Sequence, residues 1–391
     1  MQETFEISIR NRRPENDWRL GIATLPWGQV AGLSSERLKH IVAVVTHPQE
    51  EAVGQLQWQL DRVDPENPDL DVLSIYASFM RAGGPDGKEA FRVLVTVDDG
   101  SGSGANADTE RRLKVETTKD WFLHGSVLKA FVQLTPGPFG WQAGAITSVR
   151  LGGIEVLDAF RGMLGEHGHD EEKRLQLDRV SIAAPPWSSD PETHHYLHQQ
   201  PWTYVESGSG DVRMFLHIRS PRFMVAYGKA TYRCSLHRVI SVYRHSDSIV
   251  EELFLEGSSS PDEKPVRFSF SPGYFLKMHF ADAGGNEPVL QQVPRIQSWF
   301  ALSGTEHPKP GFGFAANEAV RQVLNPTHDY PRKEHYRAVF AWDLAYARKF
   351  LCVHTFTLLT DPSTVADEIG RRWYDFVYMP PYAITTRRVS P

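Results

Sequence analysis

Residues 212–219 read VRMFLHIR: apolar Val212, Met214, Leu216 and Ile218 alternate with Arg213, Phe215, His217 and Arg219. A strand points successive side chains to opposite faces, so a period of two marks a strand with one face free to meet a core. The alternation recurs in FEISIR (5–10), and HIVAVV (40–45), LQWQL (56–60), VLSIYASF (72–79) and AFRVLVTV (90–97) are short strand-like runs. It returns in ATYRCSLHRVISVY (230–243) and SIVEELFL (248–255). Such runs are rich in β-branched and aromatic residues and are bounded by Gly, Pro, Asn and Asp. Only 363–374, STVADEIGRRWY, look helical. The expectation is an all-β chain.

A length of 391 residues admits two or three domains. DDGSGSGANADT at 98–109 has nothing to bury and reads as a linker or a long hairpin tip. It divides a small N-terminal β-barrel or β-sandwich, residues 1–100, from a larger unit, residues 109–391. The longer strands of the second unit favour a large antiparallel sheet packed on another. Gly152-Gly153 marks a hairpin turn.

The net charge of -6 argues against a general nucleic-acid binder. No run reaches the roughly 18 apolar residues of a membrane span. MQETFEISIR carries no apolar signal region, so the sequence as written points to the cytoplasm, or to secretion if a signal precedes it. Cys234 and Cys352 lie in strand-like contexts and read as buried thiols, with a single disulfide between them left open. Homo-oligomerisation is left open too.

The chemistry-bearing residues concentrate between 187 and 222. His194, His195, Tyr196 and His198 share one short stretch between Trp187 and Trp202. If the apolar set of 212–219 faces inward, Arg213, His217 and Arg219 share an outward face. Arg233 and His237 join it if 230–243 pairs with matching faces. A second cluster at 325–337 holds His328, Asp329, Tyr330, His335, Tyr336 and Arg337, on a loop entering a strand. His167, His169, Asp170 and Glu171 offer a divalent cation a place; no other cofactor is expected. Glu251 and Glu252 are adjacent on one strand and point to opposite faces, so they are not the carboxylate pair a glycoside hydrolase needs. Glu206, Asp211, Glu334 and Asp343 stay free for that role.

Several stretches together resemble one family. ISIRNRRPENDWRLGIATLPWGQVAGLSSERL, with Gly21, Pro26 and Gly28, is similar to the start of the N-terminal barrel of exo-rhamnogalacturonan lyase-like proteins. AGAITSVRLGGIEVL looks like the start of their central β-supersandwich. YVESGSGDVRMFLHIRSPRF and LHRVISVYRHSDSIVEELF resemble its core strands, and IQSWFALSGTEHPKPGFGFAAN a strand pair of such sandwiches. Members of that family continue into a helical toroid, so no catalytic residue is carried over. The resemblance implies a carbohydrate-active β-supersandwich over 109–391 and a polysaccharide or oligosaccharide containing uronic acid as partner.

Lyase cleavage of such a glycan is β-elimination. A cation neutralises the uronate carboxylate, a base removes the adjacent acidified proton, and an acid protonates the leaving oxygen. Neutralising the carboxylate stabilises the enolate-like transition state, usually the largest effect. Arg213, Arg219 and Arg233 suit that role, because a guanidinium forks onto a carboxylate. His195 and Tyr196 are the first candidates for base and acid, with His194, His198 and His237 in reserve; acid–base help is worth roughly 10²–10⁴-fold. His217, His335 and Tyr336 are further substrate contacts, and Trp187, Trp202 and Trp342 are platforms for sugar rings. The alternatives are a non-catalytic glycan-binding or assembly subunit, and a glycoside hydrolase or sugar epimerase on the same scaffold.

Overall fold

The computed structural model describes residues 3–11, 22–27, 40–46, 56–77, 90–98, 120–125, 128–135, 143–155, 180–183, 194–196, 200–227, 230–244 and 246–257. It also describes 266–270, 273–275, 279–282, 299–303, 309–316, 322–324, 335–337, 339–344, 350–359 and 382–389. The linker at 98–109, the segment 363–374 and the loop 161–174 fall almost wholly outside these residues.

The described chain is almost entirely strand. The first hundred residues give β1 (Glu3–Asn11), β2 (Ile22–Pro26), β3 (His40–Thr46), β4 (Leu56–Asp61), β5 (Val72–Ala77) and β6 (Ala90–Asp98). Next come β7 (Asp120–His124), β8 (Leu128–Gln133), β9 (Ala145–Leu151) and β10 (Ile154–Glu155). Then follow β11 (Val180–Ala183), β12 (His194–Tyr196), β13 (Thr203–Ser209), β14 (Arg213–Arg219), β15 (Phe223–Tyr227), β16 (Ala230–Tyr243) and β17 (Ser248–Gly257). The remainder are β18 (Val266–Phe270), β19 (Gly273–Phe275), β20 (His279–Asp282), β21 (Trp299–Ser303), β22 (Lys309–Ala316) and β23 (Gln322–Leu324). The last are β24 (His335–Arg337), β25 (Val339–Leu344), β26 (Phe350–Leu359) and β27 (Tyr382–Val389).

The largest sheet has nine strands in the order β13-β14-β16-β17-β26-β22-β21-β20, with β15 also on β16. N-terminal strands form two open sheets, β27-β1-β6-β3 and β2-β5-β4; no barrel closes among the described residues. β27 pairs antiparallel with β1, so the last strand of the chain lies in the sheet of the first. The fold is therefore all-β and antiparallel, as the alternation implies.

Register assigns the faces of the large sheet. Leu216 lies opposite Ile240, and Ile218 opposite Arg238. Ile240 lies opposite Glu251, and Arg238 opposite Leu253. Leu216, Ile218, Leu236, Ile240, Val242, Ile249 and Leu253 share this face and are fully buried. The sheet β10-β9-β8-β7 lies against it: a Cβ on Gly125 would fall 2.6 Å from the Val242 side chain. Trp202 N–H donates to Leu134 O at 2.7 Å, and its indole lies on Gly144, whose φ of 74° and absent Cβ both permit the approach. Gly152 and Gly153, with φ of 58° and 88°, form the expected hairpin between β9 and β10.

The opposite face of the large sheet carries the polar set, and it too is covered. Residues 61–71, between β4 and β5, lie over it. Val63 and Leu70 of this segment are buried with Phe215 and Val239 of the sheet, with Val72 and Phe254 at the margin. A fully buried side chain of this size contributes about 1.5–3 kcal/mol. The Gln59 side chain binds the β14 backbone at both ends: its Oε1 accepts Arg213 N–H (3.1 Å) and its Nε2 donates to Arg213 O (2.8 Å). An amide here does the work of a paired strand.

Cys234 is buried. It lies opposite Gly257, and Cys352 opposite Glu251. The six residue steps of β17 from Glu251 to Gly257 span about 20 Å, far beyond the reach of a disulfide.

Candidate functional site

The polar face of β14 is not the open basic surface that alternation predicts. Arg213 is 2% exposed. Its Nη1 donates to Asp61 Oδ2 at 3.1 Å, while Nε and Nη2 donate to Ser241 Oγ at 3.1 and 2.9 Å. The guanidinium lies 4.9 Å from the centre of the Phe215 ring. All three of its nitrogens donate to protein and the side chain is buried, so the expectation that Arg213 holds a substrate carboxylate is corrected. Trp202 is corrected likewise: it is buried against Gly144 on the other face, with Arg238 5.7 Å from its ring.

Farther along the same face the side chains reach the surface. Strand β14 ends at Arg219, and Ser220 makes the corner. Ser220 N–H donates to Leu236 O (2.8 Å) and Ser220 Oγ accepts Leu236 N–H (2.9 Å), which satisfies both backbone groups of that residue. β15 then resumes pairing with β16 at Phe223, opposite Cys234. This corner brings Arg219 and Arg222 to one end of the sheet. Register puts Arg219 opposite His237, which lies opposite Phe254, and puts Ser235 opposite Glu256. Arg233 is two residues before Ser235 on the same face. Arg222 and Arg233 are exposed, and the Arg219 and Glu256 side chains are 35% and 56% exposed. Arg219 Nη1 approaches Glu256 Oε2 at 3.8 Å.

Beneath this rim a chain of hydrogen bonds runs inward from Glu256. Glu256 Oε2 lies 2.9 Å from His237 Nε2, His237 Nδ1 lies 2.8 Å from His217 Nε2, and His217 Nδ1 lies 2.9 Å from Val63 O. His217 is 0% exposed and His237 3%. Both are therefore corrected as direct sugar contacts. Phe254 stacks on His237 with centroids 4.8 Å apart. Burial pushes the His217 pKa down to about 4 and lowers that of His237. The His237 hydrogen bond, with Arg219 and Arg222 nearby, holds the Glu256 carboxyl below the usual range. Donor atoms of Asp64, His217 and His237, all buried, lie within 4.8 Å of one another and form the metal-capable group among the described residues.

The other sequence candidates lie elsewhere. His194, His195 and Tyr196 form β12, which pairs with β11 in the sheet β12-β11-β18-β25-β23; His195 is opposite Ile182. His335 and Tyr336 are on β24, paired with β19. Trp187, His198, His167 and His169 lie outside the described residues, as do the side chains of β12 and β24. The structure thus joins Arg219, Arg233, His217 and His237 at one end of the large sheet. It adds Arg222, Glu256 and Asp64, which the sequence reading did not select. Glu256 was within reach of pattern reading, because Glu252, Phe254 and Glu256 alternate on β17. Asp64 was not, since 153 positions separate it from His217 and no local period links them.

No protein-family model and no curated protein sequence matches this chain. Solved structures do. A protein in the glycosyl hydrolase family 38 from Enterococcus faecalis is 8% identical, covering 100% of this chain and 47% of its own, at a TM-score of 0.46. An alpha-mannosidase from Enterococcus faecalis is 8% identical, covering 100% of this chain and 46% of its own, at a TM-score of 0.44. Heparinase III is 10% identical, covering 59% of this chain and 34% of its own, at a TM-score of 0.32. The chain spans about half the length of the first two.

Proposed function

We propose that the protein is carbohydrate-active, that it takes an anionic glycan at the Arg219, Arg222 and Arg233 rim, and that its reaction is β-elimination at a uronate. The observation that carries the reading is the rim itself. Register and chain order put Arg219, Arg222 and Arg233 at one end of one sheet face, with Arg219 3.8 Å from Glu256, in a protein of net charge -6. Ion pairing on the rest of that face is local: Asp61 takes Arg213. Arginine suits a carboxylate through paired N–H donors. In elimination such a group stabilises the negative charge that develops on the uronate. His195 and Tyr196, the base and acid expected from the sequence, lie on β12 of another sheet, and no base or acid is assigned at the rim.

The test is incubation of the protein with a panel of uronate polymers, reading the ultraviolet absorbance of the unsaturated product and, in parallel, equilibrium binding. Product with saturable binding supports the whole reading. Saturable binding without product moves the protein to a glycan-binding role. Neither product nor binding on any polymer overturns the reading.

A further inference from the structure

The two buried histidines raise a proton-accounting problem, and its solution points to a ligand. Val63 O is a carbonyl and only accepts, so the 2.9 Å contact requires His217 to carry its hydrogen on Nδ1. Glu256 presents a carboxylate beside Arg219, so the 2.9 Å contact requires His237 to carry a hydrogen on Nε2. Both inner nitrogens, His217 Nε2 and His237 Nδ1, are then lone pairs facing each other at 2.8 Å. Something positive must lie between them. A shared proton would place an imidazolium where His217 is 0% and His237 3% exposed, which burial disfavours.

We propose that His217 Nε2, His237 Nδ1 and a carboxylate oxygen of Asp64 bind a divalent transition-metal ion of the zinc type. Three features beyond the lone pairs fit it. One donor atom from each of the three residues lies within 4.8 Å of the others. Metal-bound histidines donate their outer N–H to a carbonyl or a carboxylate, and here one has Val63 O and the other Glu256. Asp64 is fixed by a turn in which its Oδ1 accepts Glu66 N–H at 2.9 Å. Zinc ligands at about 2.0–2.1 Å from the ion stand about 3–3.4 Å apart, so the two imidazoles need only separate by a few tenths of an ångström. Two imidazoles select zinc, iron, nickel or copper over magnesium or calcium, which prefer all-oxygen sites. Such an ion would join the 61–71 segment to β14 and β16. This inference is independent of the glycan reading.

The experiment uses the full chain, stripped with chelator and titrated with zinc and with cobalt(II). The site is expected to take one equivalent of zinc, raise the melting temperature with zinc concentration, and give visible cobalt bands of nitrogen and oxygen ligation. Asp64→Asn and His217→Gln are expected to lose the bound equivalent. Glu256→Gln, at a partly exposed position, is expected to keep it about 10–100-fold more weakly, the usual effect of a changed outer partner. Should the buried variants fail to fold, nitrogen NMR of the wild-type imidazoles decides. Zinc-dependent shifts at two histidines support the site. Resonances of a shared imidazolium that zinc leaves unchanged overturn it. Absence of stoichiometric binding, or binding that survives both Asp64→Asn and His217→Gln, overturns it as well.

Discussion

Arg213 and Asp71 show how burial decides what a charged residue does. The Arg213 to Asp61 pair is closed on all sides, with side chains 2% and 4% exposed. Removing one member of such a pair leaves the other as an uncompensated buried charge, at about 3–5 kcal/mol. Arg213→Ala is therefore expected to lower the urea midpoint by a corresponding amount and to leave glycan affinity of the folded fraction unchanged. A variant of wild-type stability and reduced affinity would return Arg213 to the binding site. Asp71 is the opposite case. Its Oδ1 is buried with no hydrogen-bond partner among the described residues. Burial pushes its pKa from 3.8 up to about 6, against the pull of Arg62 and the Val63 N–H, and with repulsion from Asp61 and Asp64. The folded value lies above the unfolded one, so the native chain binds more protons across that window. Stability then falls as pH rises from 3.8 to about 6. Asp71→Asn is expected to flatten this fall in chemical denaturation; an unchanged slope would assign it to another group.

Within strands, the pairing of β16 with β17 carries the apolar face through a polar interruption. Arg238 breaks the run of Leu236, Ile240 and Val242, yet it is 0% exposed. Its Nη2 donates to both oxygens of Glu251, each at 2.9 Å, and its Nη1 donates to Gly144 O. The pair ties the large sheet to the turn before β9. Arg238→Met alone is expected to cost about 3–5 kcal/mol, and Arg238→Met with Glu251→Leu much less, because no charge is then left buried. Equal losses for the single and double variants would refute this coupling. The opposite orientations of Glu251 and Glu252 were legible from adjacency on a strand, as was the shared face of Arg213, His217 and Arg219. What alternation did not reveal is that this second face is also covered. A period of two reports which residues go together, while the 61–71 segment that buries them arrives from more than 140 positions away. Charged residues on a face look solvent-bound until Asp61 and Asp64 are placed over them.

Across the whole molecule, the all-β class and the long central strands follow from patterning, and the N-terminal strands end as cover for the central sheet through Gln59, Asp61 and Val63. That cover stops short of the corner at Ser220, where Arg219, Arg222 and Arg233 emerge. This corner is where the protein is proposed to receive an anionic glycan. The most direct measurement is a binding isotherm for a uronate oligosaccharide with the wild type, Arg222→Ala and Arg233→Ala, at low and high salt, with melting temperatures alongside. Each variant is expected to bind at least tenfold more weakly, about 1.4 kcal/mol and the scale of one charge-assisted hydrogen bond. Wild-type affinity is expected to fall with salt, and the melting temperatures to stay near wild type, since an exposed arginine adds little stability. Unchanged affinity in both variants, with or without a loss of stability, would contradict the claim.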